Sequence, residues 1–228
     1  MSPDSLTETE LRTQVARSLA EAPLVGVVRT GDATEAERQA RLFIAGGIRM
    51  IEITFTVPDA PELTRRLLAE RGDAAHRVGM GTVTDAERAR RAIAAGAEFV
   101  VTPNVSAEAT AVVRERGLYL VVGALTPSEI VAARGLGADI VKVFPLPPVG
   151  GPAYLSAVRG PLGDVPMLAS GGFGPEEIPA YRAAGASAFG IGAPLLAEGE
   201  AETLRRVAGA VALARGAEPG AAEGSAWR

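Results

Sequence analysis

The chain has 228 residues, 47% of them hydrophobic and only 4% aromatic, with a formal charge of −4 at pH 7 and a pI near 5.2. This length suits a single α/β barrel with a sizeable aliphatic core, and an acidic chain without a basic stripe argues against a nucleic-acid surface. The absence of cysteine excludes disulfides and thiolate metal sites, the single histidine (His76) argues against zinc, and no apolar run reaches the length of a membrane span.

The opening stretch MSPDSLTETELRT is acidic and polar and lacks the apolar centre of a signal peptide. The expectation is a soluble, cytoplasmic protein. Segment 1–21 carries a predicted helix over about Leu6–Glu21, placed to close the bottom of the domain that follows. Short, β-branched runs then recur at Leu24–Thr30, Met50–Thr56, Arg77–Val83, Phe99–Asn104, Tyr119–Leu125, Asp139–Pro145, Pro166–Gly172 and Ala188–Ala193. Runs this short and apolar fit strands buried on both faces of a parallel sheet. Ala/Arg/Glu-rich segments of helical period separate them.

Helix starts are marked at Asp32…Glu35, Thr84…Glu87 and Thr126…Glu129, where a capping oxygen stands three residues before a glutamate. Pro127 and Pro175 sit where a first helical residue is expected. Helix ends repeat a small-residue formula, as in IAGGIRMIEI, IAAGAEFVVT, RGLGADIVKV and RAAGASAFGI, whose glycines suit a left-handed cap. These quasi-repeats predict an α/β fold, a (β/α)8 TIM barrel over 22–215 with an extra N-terminal helix. A six-stranded doubly wound sheet is the competing arrangement. The tail, 216–228, is rich in Gly, Ala and Glu and is predicted to be disordered.

Of the 23 basic residues, 22 are arginine and one, Lys142, is lysine. It lies inside the apolar run ADIVKVFP of the sixth predicted strand. Strand alternation puts Lys142 on one face with Ile140 and Phe144, and Val141 and Val143 on the other. A lysine among helix-facing valines would be strongly unfavourable, so Lys142 is expected to face the barrel interior. Removal from water disfavours an ammonium, and a neutral amine is the nucleophile that attacks a ketone. In the second strand Glu52 shares its face with Thr54 and Thr56, and a carboxylate there is costly unless paired or used. It is the candidate general acid/base; an ion pair with Lys142 is the bland alternative.

Thr82 ends the third strand, on the parity of Val78 and Met80, which we assign to the lumen; its hydroxyl is a candidate donor to a substrate carboxylate. Pro103 is a candidate wall residue, and Arg29, closing the first strand, a candidate anion anchor. Arg49 and His76 precede strands and so belong to the opposite, non-catalytic end. After the seventh and eighth strands, Ser170, Gly171, Gly172 and Gly192 stand where barrels commonly hold phosphate on backbone N–H groups. Glycines also serve tight turns, which is the alternative for them.

Five motifs, in order, resemble the family of 2-keto-3-deoxy-6-phosphogluconate (KDPG) and 4-hydroxy-2-oxoglutarate (KHG) aldolases: AGGIRMIEITFTVPDA, GMGTVTDAERARRAIAAGAEFVVTPN, VGALTPSE, KVFP and SGGF. The resemblance spans about residues 22–197. It implies a class I aldolase that needs neither metal nor cofactor and is assembled as a homotrimer, with a place in the Entner–Doudoroff pathway. It implies Lys142 as the Schiff-base lysine, Glu52 as proton shuttle, Thr82 and Pro103 at the pyruvate end, and Gly171 and Gly172 at the phosphate end. The partner is then a 2-keto-4-hydroxy acid, KDPG first, with the 6-phosphogalactonate isomer and KHG as rivals; no nucleic acid or membrane partner is expected. Many members read E-x-T-x-R-T where this chain reads E-I-T-F-T-V-P, and many place a serine where Ala193 and Pro194 stand. Ser170 stands where threonine is common. From other classes, a phosphate-binding barrel isomerase or synthase, or a non-enzymatic binder of a small anion, are the rival readings.

Overall fold

The computed structural model describes residues 7–72 and 75–217. In chain order the elements are α1 (Glu8–Glu21), β1 (Leu24–Val28), α2 (Ala33–Ala45), β2 (Met50–Thr54), α3 (Ala60–Glu70), β3 (Arg77–Gly81), α4 (Ala86–Ala94) and β4 (Phe99–Val101). They continue as α5 (Ala107–Glu115), β5 (Tyr119–Ala124), α6 (Pro127–Gly135), β6 (Ile140–Val143), α7 (Gly151–Arg159), β7 (Met167–Ser170), α8 (Ile178–Ala183), β8 (Ala188–Ile191) and α9 (Glu200–Ala214). Every strand pairs in parallel with its sequence neighbour and β8 returns to β1, so the sheet is a closed eight-stranded barrel rather than a doubly wound sheet. Apart from Gly216 and Ala217, the expected tail lies outside the described residues.

Alternation along the strands sorts two cores. Val25, Val27, Met50, Phe99, Val121, Ile140 and Leu168 fill the lumen. Val28, Ile51, Ile53, Val141, Val143 and Ile191 join the layer between strands and helices. Strand β3 inverts the expected assignment: Val78 and Met80 belong to the outer layer. Its lumen positions are Gly79 and Gly81, and a Cβ on Gly79 would lie 2.5 Å from the Phe99 ring. Phe99 thus fills the space that a β3 side chain would have taken.

Helix α1 is present as expected and lies against the bottom of the barrel. It starts at an unforeseen capping box, Thr7 with Glu10, and sends Val15 and Leu19 into the lumen cluster. Arg77 donates to its Gln14 at 2.7 Å, its Arg12 donates to Asp139 at 3.0 Å, and Arg49 pairs with its Glu21. Beneath β3 and β4, buried Glu98 accepts from Arg71 (2.5 Å), Arg77 (3.0 Å) and the Val78 N–H (2.9 Å).

Of the helix starts, Thr126–Glu129 is a complete capping box and Asp32 caps α2 by accepting from the Glu35 N–H. At α4 the cap is Asp85, accepting from Arg88, one residue beyond the predicted Thr84. The four end-of-helix glycines behave as read: Gly47, Gly96, Gly137 and Gly185 take φ of 96°, 83°, 89° and 97°. The strands stop up to three residues short of the predicted runs, so Thr56, Thr82, Pro103 and Gly171 belong to the loops at the barrel mouth.

Candidate active site

Strands β2 and β6 lie on opposite sides of the barrel. Their inward-facing members, Glu52 and Lys142, meet in the lumen, with Lys142 Nζ donating to Glu52 Oε2 at 3.4 Å. The residues are 2% and 5% exposed, so both groups are held out of bulk water. Glu52 Oε1 has no hydrogen-bond partner among the described residues. A buried carboxylate with one weak partner is an expensive arrangement, in contrast to Glu98, whose donors come from three groups. The Phe144 ring lies 5.6 Å from Nζ, where a cation is attracted to its face.

Two glycines make the room. A Cβ on Gly81 would lie 1.9 Å from Glu52 Oε1. Gly123, in register with Lys142 on the neighbouring strand, leaves space for Pro103, whose backbone would be 2.3 Å from a Cβ there.

Above Lys142 opens a cavity of about 200 Å³, lined by Val27, Arg29, Lys142, Phe144, Ser170, Gly171, Gly172, Gly190, Gly192, Ala193 and Pro194. It lies at the C-terminal ends of the strands, the end at which barrels carry their chemistry. Gly171 and Gly172 have φ of 140° and 92°. A Cβ on Gly171 would lie 2.8 Å from the Leu146 nitrogen, and one on Gly192 2.7 Å from the Val27 carbonyl oxygen. No side chain fits at either place, so the backbone itself forms this wall. Ser170 Oγ donates to the Gly190 carbonyl at 3.0 Å, which occupies its one proton. Pro194 lies in the 3-10 turn Ala193–Leu195, and its carbonyl accepts from Arg206 at 2.6 Å.

Arg29 reaches across the mouth from the end of β1 and donates to Thr56 (3.4 Å) and Thr82 (3.1 Å). Thr82 therefore reaches the site although its strand parity is opposite to that predicted: at φ 59° it has left the strand. The cavity thus gathers Lys142, Arg29, Ser170, Gly171, Gly172 and Gly192, with Glu52 touching Lys142 and Thr82 touching Arg29. Pro103 packs on Gly123 and is absent from the cavity lining. Gly81 and Phe144 were not anticipated as site residues; the first lies in GMGT and the second follows Lys142 by two, each on a lumen-facing parity.

A larger groove of about 500 Å³ lies outside the barrel along α3 and α4, where Arg88 and Arg91 stand over the Phe55 ring. It contains no lysine and is separate from the lumen, so the smaller cavity is the candidate site. Among the described residues, no three His, Cys, Asp or Glu side chains are grouped as a metal site would require, and no helix is long and apolar enough to cross a membrane.

A parallel barrel whose only lysine is buried beside a carboxylate at the mouth falls within the barrel aldolases, which are lyases. More particularly, the chain belongs to the KDPG and KHG aldolase family, whose model matches residues 15–209. It is 35% identical over 161 residues to a Treponema pallidum 2-dehydro-3-deoxy-phosphogluconate aldolase, covering 71% of this chain and 74% of that one. It is 32% identical over 180 residues to a probable 2-dehydro-3-deoxy-6-phosphogalactonate aldolase of Rhizobium meliloti, covering 78% and 84%. Among solved structures it is similar to a KDPG aldolase of Legionella pneumophila with pyruvate captured as a covalent carbinolamine, at TM-score 0.72 and 25% identity, covering 87% and 95%.

Proposed function

We propose that this protein cleaves KDPG to pyruvate and glyceraldehyde 3-phosphate through a Schiff base on Lys142. The observation that carries the reading is the buried contact of Lys142 Nζ with Glu52 Oε2 at 3.4 Å, beneath a small cavity. Lys142 attacks the C2 ketone, and loss of water gives a protonated imine, an electron sink. Glu52, directly or through a water, takes the C4 hydroxyl proton. The C3–C4 electron pair moves into the imine, the aldehyde leaves, and Glu52 returns the proton to C3 of the enamine. Water then releases pyruvate and restores the amine. Covalent capture replaces one difficult carbanion step by two easier ones, and the positioned carboxylate serves both proton transfers.

Arg29 and Thr82 bind the substrate carboxylate in this reading, and the backbone at Gly171, Gly172 and Gly192 receives the distal phosphate. The rivals within the family are the 6-phosphogalactonate isomer and unphosphorylated KHG. Family membership favours the aldolase over a barrel isomerase, a synthase or an anion binder without turnover. The homotrimer, the cytoplasmic location and the Entner–Doudoroff role rest on the family likeness. A pyruvate-release assay over a panel of phosphorylated and unphosphorylated 2-keto-4-hydroxy acids tests the reading: KDPG is expected to give the highest kcat/KM, and no pyruvate from any member would reject it.

A further inference from the structure

A directed chain of hydroxyl groups runs from the buried side of β2 to the mouth. Thr54 Oγ1 lies 2.8 Å from the Val28 carbonyl oxygen and 2.8 Å from Thr56 Oγ1. A carbonyl oxygen has no proton to give, so the single Thr54 proton goes to Val28. The contact with Thr56 must then be filled by the Thr56 proton. That leaves Thr56 only lone pairs to turn toward Arg29, whose Nη1 donates to it at 3.4 Å. Arg29 Nη2 donates in turn to Thr82 Oγ1 at 3.1 Å. Thr82 Oγ1 donates to no acceptor among the described residues. Threonine at φ 59° is a costly backbone conformation for a β-branched residue, and it is there that the hydroxyl meets Arg29.

Thr54 thus fixes the direction of the Thr56 proton at the buried end, while Arg29, which has no acceptor, donates to both Thr56 and Thr82. The donors left for a ligand at the mouth are the Thr82 O–H and the remaining Arg29 N–H groups, beside the second lone pair of each hydroxyl. A guanidinium with free N–H groups beside a hydroxyl donor selects an anion with paired acceptor oxygens. In this chain's second-strand stretch, E-I-T-F-T-V-P, a threonine network fed by Arg29 from the end of β1 occupies that region.

We infer that Thr54, fully buried and remote from bulk solvent, is a positioning residue that holds the Thr56 hydroxyl, and through it Arg29, and so tunes recognition of the carboxylate of a 2-keto acid. The inference rests on the aldolase reading above. Thr54→Val keeps the shape but removes the acceptor for the Thr56 proton and frees Thr56 and Arg29 to reorient. It raises KM for the cleaved 2-keto acid about three- to tenfold, the worth of one ordinary hydrogen bond, with kcat within about twofold. Thr54→Ser restores wild-type KM. Because the effect passes through Thr56, Thr54→Val/Thr56→Ala is no worse than Thr56→Ala alone.

The experiment measures steady-state cleavage for these four variants, together with borohydride trapping of pyruvate and of its neutral isostere pyruvamide. Half-saturation of trapping rises in Thr54→Val for pyruvate and not for pyruvamide. An unchanged KM, an equal rise for pyruvamide, or additive effects in the double variant would each overturn the inference. Thr56 is exposed, so Thr56→Ala tests the chain even if valine at 54 upsets the barrel: a wild-type KM there overturns it as well. Loss of trapping in the wild type would overturn the aldolase reading, and the inference with it; intact trapping with unchanged KM overturns the positioning role alone.

Discussion

Gly81 and Glu52 face each other across β2 and β3 so closely that a methyl group on Gly81 would sit 1.9 Å from Glu52 Oε1. The missing side chain on β3 is what allows a carboxylate to project into the lumen toward Lys142. Gly81→Ala should therefore rotate Glu52 away from Nζ. Since misplacing a reacting group by about 1 Å costs on the order of a hundredfold, kcat should fall by about that factor while pyruvate trapping on Lys142 persists. A wild-type kcat in this variant, with the fold intact by circular dichroism, would show that the placement of Glu52 is immaterial.

The two buried glutamates should separate activity from stability. Glu52→Gln should slow cleavage by about two to four orders of magnitude, with imine trapping affected less and the melting temperature little changed. Glu98→Ala strands two partly buried arginines, Arg71 and Arg77. It should cost on the order of 3 kcal/mol, or about 6–12 °C in Tm for a domain of this size, while the folded fraction keeps its kcat. Calorimetry and single-turnover assays on both variants check the pair of outcomes.

At the distal end, Pro194 has no N–H or hydroxyl to offer a phosphate. One missing charge-assisted hydrogen bond weakens binding about ten- to a hundredfold. The enzyme should still prefer phosphorylated 2-keto-3-deoxy acids in kcat/KM, by a narrow margin that Pro194→Ser widens. The Arg206 donor to the Pro194 carbonyl survives that change, which keeps the turn in place. Equal kcat/KM for phosphorylated and unphosphorylated substrates, unaltered by Pro194→Ser, would show that the natural substrate lacks phosphate.

His76, half-buried below the barrel, has its pKa pushed below the ordinary 6.5, first by burial and then by the Arg71 charge. The unfolded chain then takes up this proton at higher pH than the folded one, so stability falls as pH drops through about 6.5 toward the folded value. Chemical denaturation between about pH 7.5 and pH 5.5 should show this loss, and His76→Gln should reduce it. An identical pH dependence in both proteins would remove His76 as the cause.

The sequence made the barrel and its central pair legible for a simple reason. Lys142 and Glu52 are each flanked by large aliphatic residues, Val141 and Val143 or Ile51 and Ile53, which commit their strand faces to the helices. On β3 the same logic misleads. Val78 and Met80 look like lumen residues until the intervening glycines are seen to leave room for Phe99 and Glu52, and a glycine carries no hydropathy signal to reveal this. Strand ends were overestimated because the mouth loops, TPN and SGGF among them, begin with the same small and β-branched residues as the strands. The Arg29–Thr82 contact depends on the left-handed backbone at Thr82, a conformation with no signature in that side chain.

The most direct test is intact-mass and peptide analysis after treating the wild type and Lys142→Arg with pyruvate and borohydride. A guanidinium cannot deprotonate to act as the nucleophile. The account predicts one reduced adduct on the peptide carrying Lys142 in the wild type and none in the variant. An adduct that survives Lys142→Arg, or none in a folded wild type, would contradict it.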